Sequence, residues 1–120
     1  MQEQKDEATV LFHIPKPSEA GQIPYLTIAK FSDGVGSRVE KTRLEEFSRR
    51  LAIEFGDRFQ ICSATNSRNM FVRVQYVKPL RDGDVACESG ALARLIETHL
   101  GIRVAVLREC SREEIRTPPL

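Results

Sequence analysis

The chain has 120 residues, 41% of them hydrophobic and 29% charged, a globular composition that excludes the disordered and fibrous classes. Eighteen basic and seventeen acidic side chains leave a net charge of +1, which argues against association with nucleic acid or anionic membrane driven by gross charge. The length suits one ordinary domain, and no apolar run approaches the roughly 20 residues of a membrane span.

Residues 1–7 are polar and acidic and read as a fraying N-terminal tail. Ala8–Ile14 has the β-branched and aromatic content of a strand and is stopped by Pro15 and Pro17, which open an exposed loop to Gln22. Tyr25–Phe31 is the next strand, ending in the turn cluster Ser32-Asp33-Gly34-Val35-Gly36-Ser37. Two overlapping capping boxes follow, Ser37 with Glu40 and Thr42 with Glu45. Behind them Leu44, Phe47, Leu51 and Phe55 form one apolar stripe of an amphipathic helix that Gly56 stops. Glu45–Arg49, Glu46–Arg50 and Glu54–Arg58 are i, i+4 pairs in the favourable order and mark its solvated face.

Phe59–Ala64 and Met70–Val77 are strands close enough in sequence to form a hairpin. A second helix begins at about Asp84 or Ser89 and runs to His99, with Leu92, Leu95 and Ile96 inward and Gly101 closing it. Ile102–Leu107 is the last strand, and residues 111–120 read as a C-terminal tail ending in Pro118-Pro119. The expected fold is a single two-layer α+β domain over residues 8–110. It has an extra N-terminal strand and then β-α-β-β-α-β, as in ferredoxin-like folds, with two helices on one face of a mostly antiparallel sheet.

Cys62, Cys87 and Cys110 are odd in number and widely spaced, and only His13 and His99 could join them as metal ligands. No metal site and no cofactor are expected, and a reducing cytoplasm is the simplest compartment. Both histidines read as structural. Cys87 enters the second helix, and a thiol in a first helical turn feels unsatisfied amides and the positive end of the helix dipole, which favour thiolate. Glu88 opposes this, and a small buried packing cysteine is the competing reading. In the Gly34–Arg38 loop, backbone amides with Arg38 and Lys41 could hold an anion, whereas a tight turn needing positive φ explains both Gly34 and Gly36 more cheaply. A dinucleotide fingerprint fails because Val39 stands where a third glycine is required.

Val72-Arg73-Val74-Gln75-Tyr76-Val77-Lys78-Pro79, a short loop, and then Cys87-Glu88-Ser89-Gly90-Ala91 resemble one half of the diaminopimelate epimerase-like superfamily, of the phenazine-biosynthesis isomerase type. The resemblance spans about residues 39–106. It implies that Cys87 stands where the epimerases carry a proton-transferring thiol, and that Asp57 lies near the acidic catalytic position of the phenazine-type isomerases. It also departs from the pattern: Glu88 replaces the glycine that follows the cysteine, and the chain is one half long.

Three functions are therefore open. The leading one is a small cytoplasmic binding domain, homodimeric, with a site for a small anionic ligand formed by Gly34, Gly36, Ser37, Arg38, Ser89 and Gly90 near Cys87. The second is an isomerase or racemase acting on a small carboxylate, with Cys87 as base and Asp57 assisting. The third is an RNA-recognition-like sheet, which requires Tyr25, Thr27 and Phe31 to share an open face with Phe71, Arg73 and Gln75.

Overall fold

The structure is a computed structural model that describes residues 6–16, 25–32, 34–56, 59–63, 70–76, 82–111 and 113–114. The chain runs β1 (Glu7–His13), β2 (Tyr25–Phe31), a one-turn helix α1 (Val35–Arg38), α2 (Lys41–Phe55), β3 (Phe59–Ser63), β4 (Met70–Tyr76), α3 (Asp82–Leu95) and β5 (Arg103–Glu109). Between α3 and β5 the helix widens into a π-helical turn over Ile96–Leu100, and Gly101 ends it at φ 66°. The fold is α+β, with one five-stranded mixed sheet in the order β3-β4-β2-β1-β5.

β3, β4, β2 and β1 are antiparallel neighbours, and only the β1–β5 pair is parallel. The β3–β4 pairing forms the expected hairpin, with Cys62 opposite Phe71 in register. β5 carries one extra residue against β1, where the pairing steps from Ala8 with Val104 to Thr9 with Val106.

Strand alternation divides the sheet into two faces. Ala8 and Val10 of β1, Ala29 of β2, and Met70, Val72 and Val74 of β4 meet both helices in the main core. The α2 stripe behaves as its spacing demands, with Phe47, Leu51 and Phe55 buried and Leu44 packed at the margin. From α3 and its π-helical extension come Val85, Leu92, Ile96 and Leu100. Leu95, expected inward, is only partly buried. On the opposite face Leu11, Leu26, Ile28, Phe71 and Cys110 form a second buried cluster.

The capping boxes do not form as expected. α2 starts at Lys41 with Glu40 as its N-cap residue and no side-chain cap hydrogen bond, so Thr42 lies inside the first turn. Ser37 belongs to α1, which Val35 anchors in the core. On the exposed face Glu46 holds both Arg49 at 2.5 Å and Arg50 at 3.2 Å, so Arg49 pairs with Glu46 rather than Glu45. These two guanidinium groups hold the Glu46 carboxyl below its usual range. Arg58 lies outside the described residues.

A capping box that the tail reading overlooked occurs at the C-terminus, in Ser111-Arg112-Glu113-Glu114. The amide of Ser111 donates to Glu114 Oε1 (3.2 Å) and the amide of Glu114 donates to Ser111 Oγ (3.3 Å), and residues 113–114 are helical. Glu114 also pairs with Arg108 of β5 at 2.6 Å, and its carbonyl accepts from Lys30 of β2 at 3.4 Å. The chain is thereby turned back to the sheet at residue 111. At the other end Asp6, expected in the fraying tail, pairs with Arg38, and β1 begins at Glu7.

Two outcomes follow from this packing. Phe47→Ala removes a fully buried ring at the centre of the α2 stripe and is expected to cost about 3–5 kcal/mol in denaturant unfolding, whereas Ile53→Ala, at a side chain 68% exposed, stays within about 0.5 kcal/mol. Arg108 and the Ser111 amide hold the Glu114 carboxyl at about 2 against an ordinary 4.5. A carboxyl with a depressed folded-state pKa stabilises the fold above its unfolded pKa, and that contribution is lost as pH falls from about 4.5 toward 2. Acid unfolding of Glu114→Gln should therefore have a shallower pH dependence than the parent in that window, a difference that shrinks in high salt because the pair is exposed.

Candidate functional site

The sheet register decides whether the two candidate half-sites can meet. Tyr25 lies opposite Tyr76 at one end of the β2–β4 pair, and Lys30 lies opposite Phe71 at the other. The chain leaves β4 for α3 at the Tyr76 end and leaves β2 for the Gly34 turn at the Phe31 end. Ser89 of α3 sits over Thr27, near the start of β2, and Cys87 precedes it on the helix. The Gly34–Arg38 turn and the Cys87–Gly90 segment therefore lie toward opposite ends of β2, a strand roughly 20 Å long at about 3.3 Å per residue. A single chain does not bring them together.

Each segment has a local structural explanation. Gly34 adopts φ 81°, a left-handed conformation that glycine takes without strain, at the entry to α1. A Cβ on Gly34 would meet the Arg38 guanidinium at 2.5 Å, so the arginine lies over the glycine. Gly36 is helical and has no positive φ, which corrects the expectation that both glycines need one. Arg38 directs its guanidinium to Asp6, with Nε at 3.1 Å and Nη2 at 2.5 Å from Oδ1. Its charge is thus engaged by a carboxylate. The side chain of Ser37 lies outside what the structure describes.

On α3 the correction concerns depth along the helix. The helix starts at Asp82, which places Cys87 in the second turn, beyond the unsatisfied amides of the first. Cys87 is exposed, which excludes the buried packing role. The first turn carries Asp84, whose charge favours the helix but opposes an incoming anion. Ser89 is fully buried. Its hydroxyl donates to the Val85 carbonyl at 2.8 Å, one turn back, and accepts from Thr27 Oγ1 at 2.9 Å. This pair joins α3 to the sheet through the core and presents no group to a ligand. A Cβ on Gly90 would touch only the tip of Arg94 at 3.6 Å, so no close approach requires glycine there.

Asp57, the proposed acidic assistant, lies outside the described residues, as does the side chain of Cys62. Among the described residues no three His, Cys, Asp or Glu side chains converge on a point that could hold a metal ion.

The aromatic platform also separates. Tyr25 and Phe31 pack against the helix-side core and Thr27 faces Ser89, while Phe71 belongs to the opposite cluster and is 8% exposed. The residues needed for base stacking are thus distributed between two faces, because Phe71 is out of phase with Tyr25 and Phe31 in the pleat. Arg73 and Gln75 remain exposed on the Phe71 side.

His13 and Cys110, read separately in the sequence, meet at the end of β1. The Cys110 amide donates to Phe12 O at 2.8 Å, and His13 Nδ1 donates to the Cys110 carbonyl at 3.3 Å. Burial, reinforced by the Glu114 carboxylate, pushes the Cys110 thiol up to about 11. A protonated, buried thiol is inert at neutral pH.

The edge strand β5 is the feature that sequence reasoning missed. Among the described residues it pairs with β1 alone, and Val106 and Leu107 are 38% and 45% exposed. Alternation along Ile102–Leu107 marks a strand but does not say whether it sits inside the sheet or at its margin. Among the described residues no helix is long and apolar enough to cross a membrane. Comparison with protein-family models, curated proteins and solved structures finds no match to the chain.

The two described thiols give a direct measurement. Alkylation with peptide mapping at pH 7 is expected to modify Cys87 at least about tenfold faster than Cys110, and Cys110 labelling should rise steeply only as pH approaches 11 or the fold is opened.

Proposed function

We propose that this chain is a binding domain that works as a homodimer. The observation that supports this best is β5, a seven-residue edge strand with exposed apolar side chains at its centre. An edge strand carries unpaired amides and carbonyls that template pairing with another chain, and monomeric proteins usually blunt it with charge, proline or a covering element. Here Ala105-Val106-Leu107 lacks both charge and proline.

The anionic-ligand component receives less support, since Arg38 is engaged by Asp6 and the first turn of α3 carries Asp84. The isomerase reading keeps an exposed Cys87, while Asp57, its acidic assistant, lies outside the described residues. Within the α+β class we read β2-α2-β3 and β4-α3-β5 as the two split units of a ferredoxin-like core, with β1 inserted between β2 and β5. The free thiols Cys87 and Cys110 favour a reducing, cytoplasmic setting.

Light scattering at tens of micromolar tests the reading. The expected mass is twice the 13.6 kDa of the chain, and Leu107→Lys, which places a charge at the centre of the exposed edge, should return it to 13.6 kDa without unfolding it. A wild-type chain that stays at 13.6 kDa would remove the homodimer.

A further inference from the structure

We propose that the occupant of the β5 edge is the β5 strand of a second copy, paired antiparallel about a two-fold axis at Leu107, so that the two sheets become one continuous ten-stranded sheet. This rests on the homodimer reading and specifies its interface.

Hydrogen-bond directions along β5 set the register. The Cys110 amide points to β1, donating to Phe12 O. Peptide groups alternate in direction along a strand, so the amides of Leu107 and Glu109 point away from β1, toward the free side. At the other end the Val104 amide is already taken by Glu97 Oε2 at 3.2 Å, and the extra residue against β1 breaks the regular pleat there. The regular, open part of the edge is therefore Ala105–Glu109, whose midpoint is Leu107. Arg108 Nη1 donates to the Glu109 carbonyl at 3.1 Å, and that oxygen retains a second lone pair for a ladder bond.

An antiparallel pairing centred on Leu107 uses this whole segment. Leu107 faces its own copy, Val106 faces the partner's Arg108, and Ala105 faces the partner's Glu109. The three outward-facing residues, 105, 107 and 109, then all fall at hydrogen-bonded positions, and no two like charges are opposed. Neighbouring registers do worse. Centring on Arg108 sets two arginines face to face, and centring on Val106 runs the ladder into the irregularity at Val104. The faces agree as well, because Leu107 lies beside Val10, which faces the helices. A two-fold axis perpendicular to the sheet keeps both helix layers on the same side, and Leu107, 45% exposed, is covered by its own copy.

Cysteines introduced singly at 106, 107 and 108 read the register, each in a chain with Cys87→Ser to remove the one described thiol that is exposed. Residues directly opposed at a hydrogen-bonded position have Cα atoms about 5.5 Å apart, within disulfide reach, whereas the diagonal separation of the other two is about 7–8 Å. Under oxidised glutathione, Leu107→Cys is expected to form a covalent dimer at least about tenfold faster than Val106→Cys or Arg108→Cys, while the Cys87→Ser parent stays unlinked. Faster cross-linking at 106 or 108 would overturn the register and leave the β5 dimer standing. A non-covalent dimer by light scattering that none of the three cross-links would overturn β5 pairing while keeping the homodimer. A monomer would overturn both. Thermal melts of the three variants, all at exposed positions, confirm that each is folded.

Discussion

β1 is paired on both sides, antiparallel to β2 and parallel to β5, and it is the only described strand that connects β5 to the rest of the sheet. It is also buried on both faces. Val10 enters the helix-side core, while the adjacent Leu11 enters the opposite cluster. A strand in this position cannot be moved without exposing apolar surface on both sides and breaking two ladders. A one-residue slip would exchange Val10 and Leu11 between cores. The run A-T-V-L-F-H satisfies this constraint because nearly every position is apolar or β-branched, the pattern expected where both faces are covered.

The insertion of β1 also determines where the chemistry-bearing residues lie. It carries His13 to the turn at Cys110, where the imidazole satisfies a backbone carbonyl instead of facing a cleft. It brings Asp6, the residue that precedes it, to Arg38, so that the one arginine of the glycine turn is engaged by a carboxylate. On α3 the hydroxyl of Ser89 closes a buried hydrogen-bond chain from Thr27 to the Val85 carbonyl. Left unpaired in an apolar layer, either hydroxyl would cost about 1–3 kcal/mol. Several polar residues that resemble site residues in the sequence are thus partners of one another.

With β1 in the interior, β5 becomes the margin. The side chains around it treat its two ends differently from its centre. Glu97 covers an amide at the start, and Arg108, bound to Glu114, stiffens the end. The uncharged centre, Ala105-Val106-Leu107, is exposed. Covering both ends limits the pairing that the edge can enter to a short segment, which favours one discrete contact over open-ended strand addition.

The sequence alone determined which stretches become helices and strands. The Leu44–Phe55 stripe, the Tyr25–Phe31 strand, the β3–β4 hairpin and the Gly56 and Gly101 stops are local signals, carried by side-chain periodicity and by the backbone freedom of glycine. The Ser111–Glu114 capping box was equally local but was hidden in a stretch read as a tail. Strand order, and with it the fate of every candidate site, was decided by tertiary structure. Periodicity specifies that a strand has two faces but not which neighbours it takes. Hence it could not tell that Tyr25 and Phe71 face opposite layers, that the Gly34 turn and Cys87 lie toward opposite ends of β2, or that Ser89 is sealed between α3 and the sheet. Those outcomes depend on pairings between residues far apart in sequence, set by the joint burial of two sheet faces rather than by any segment alone.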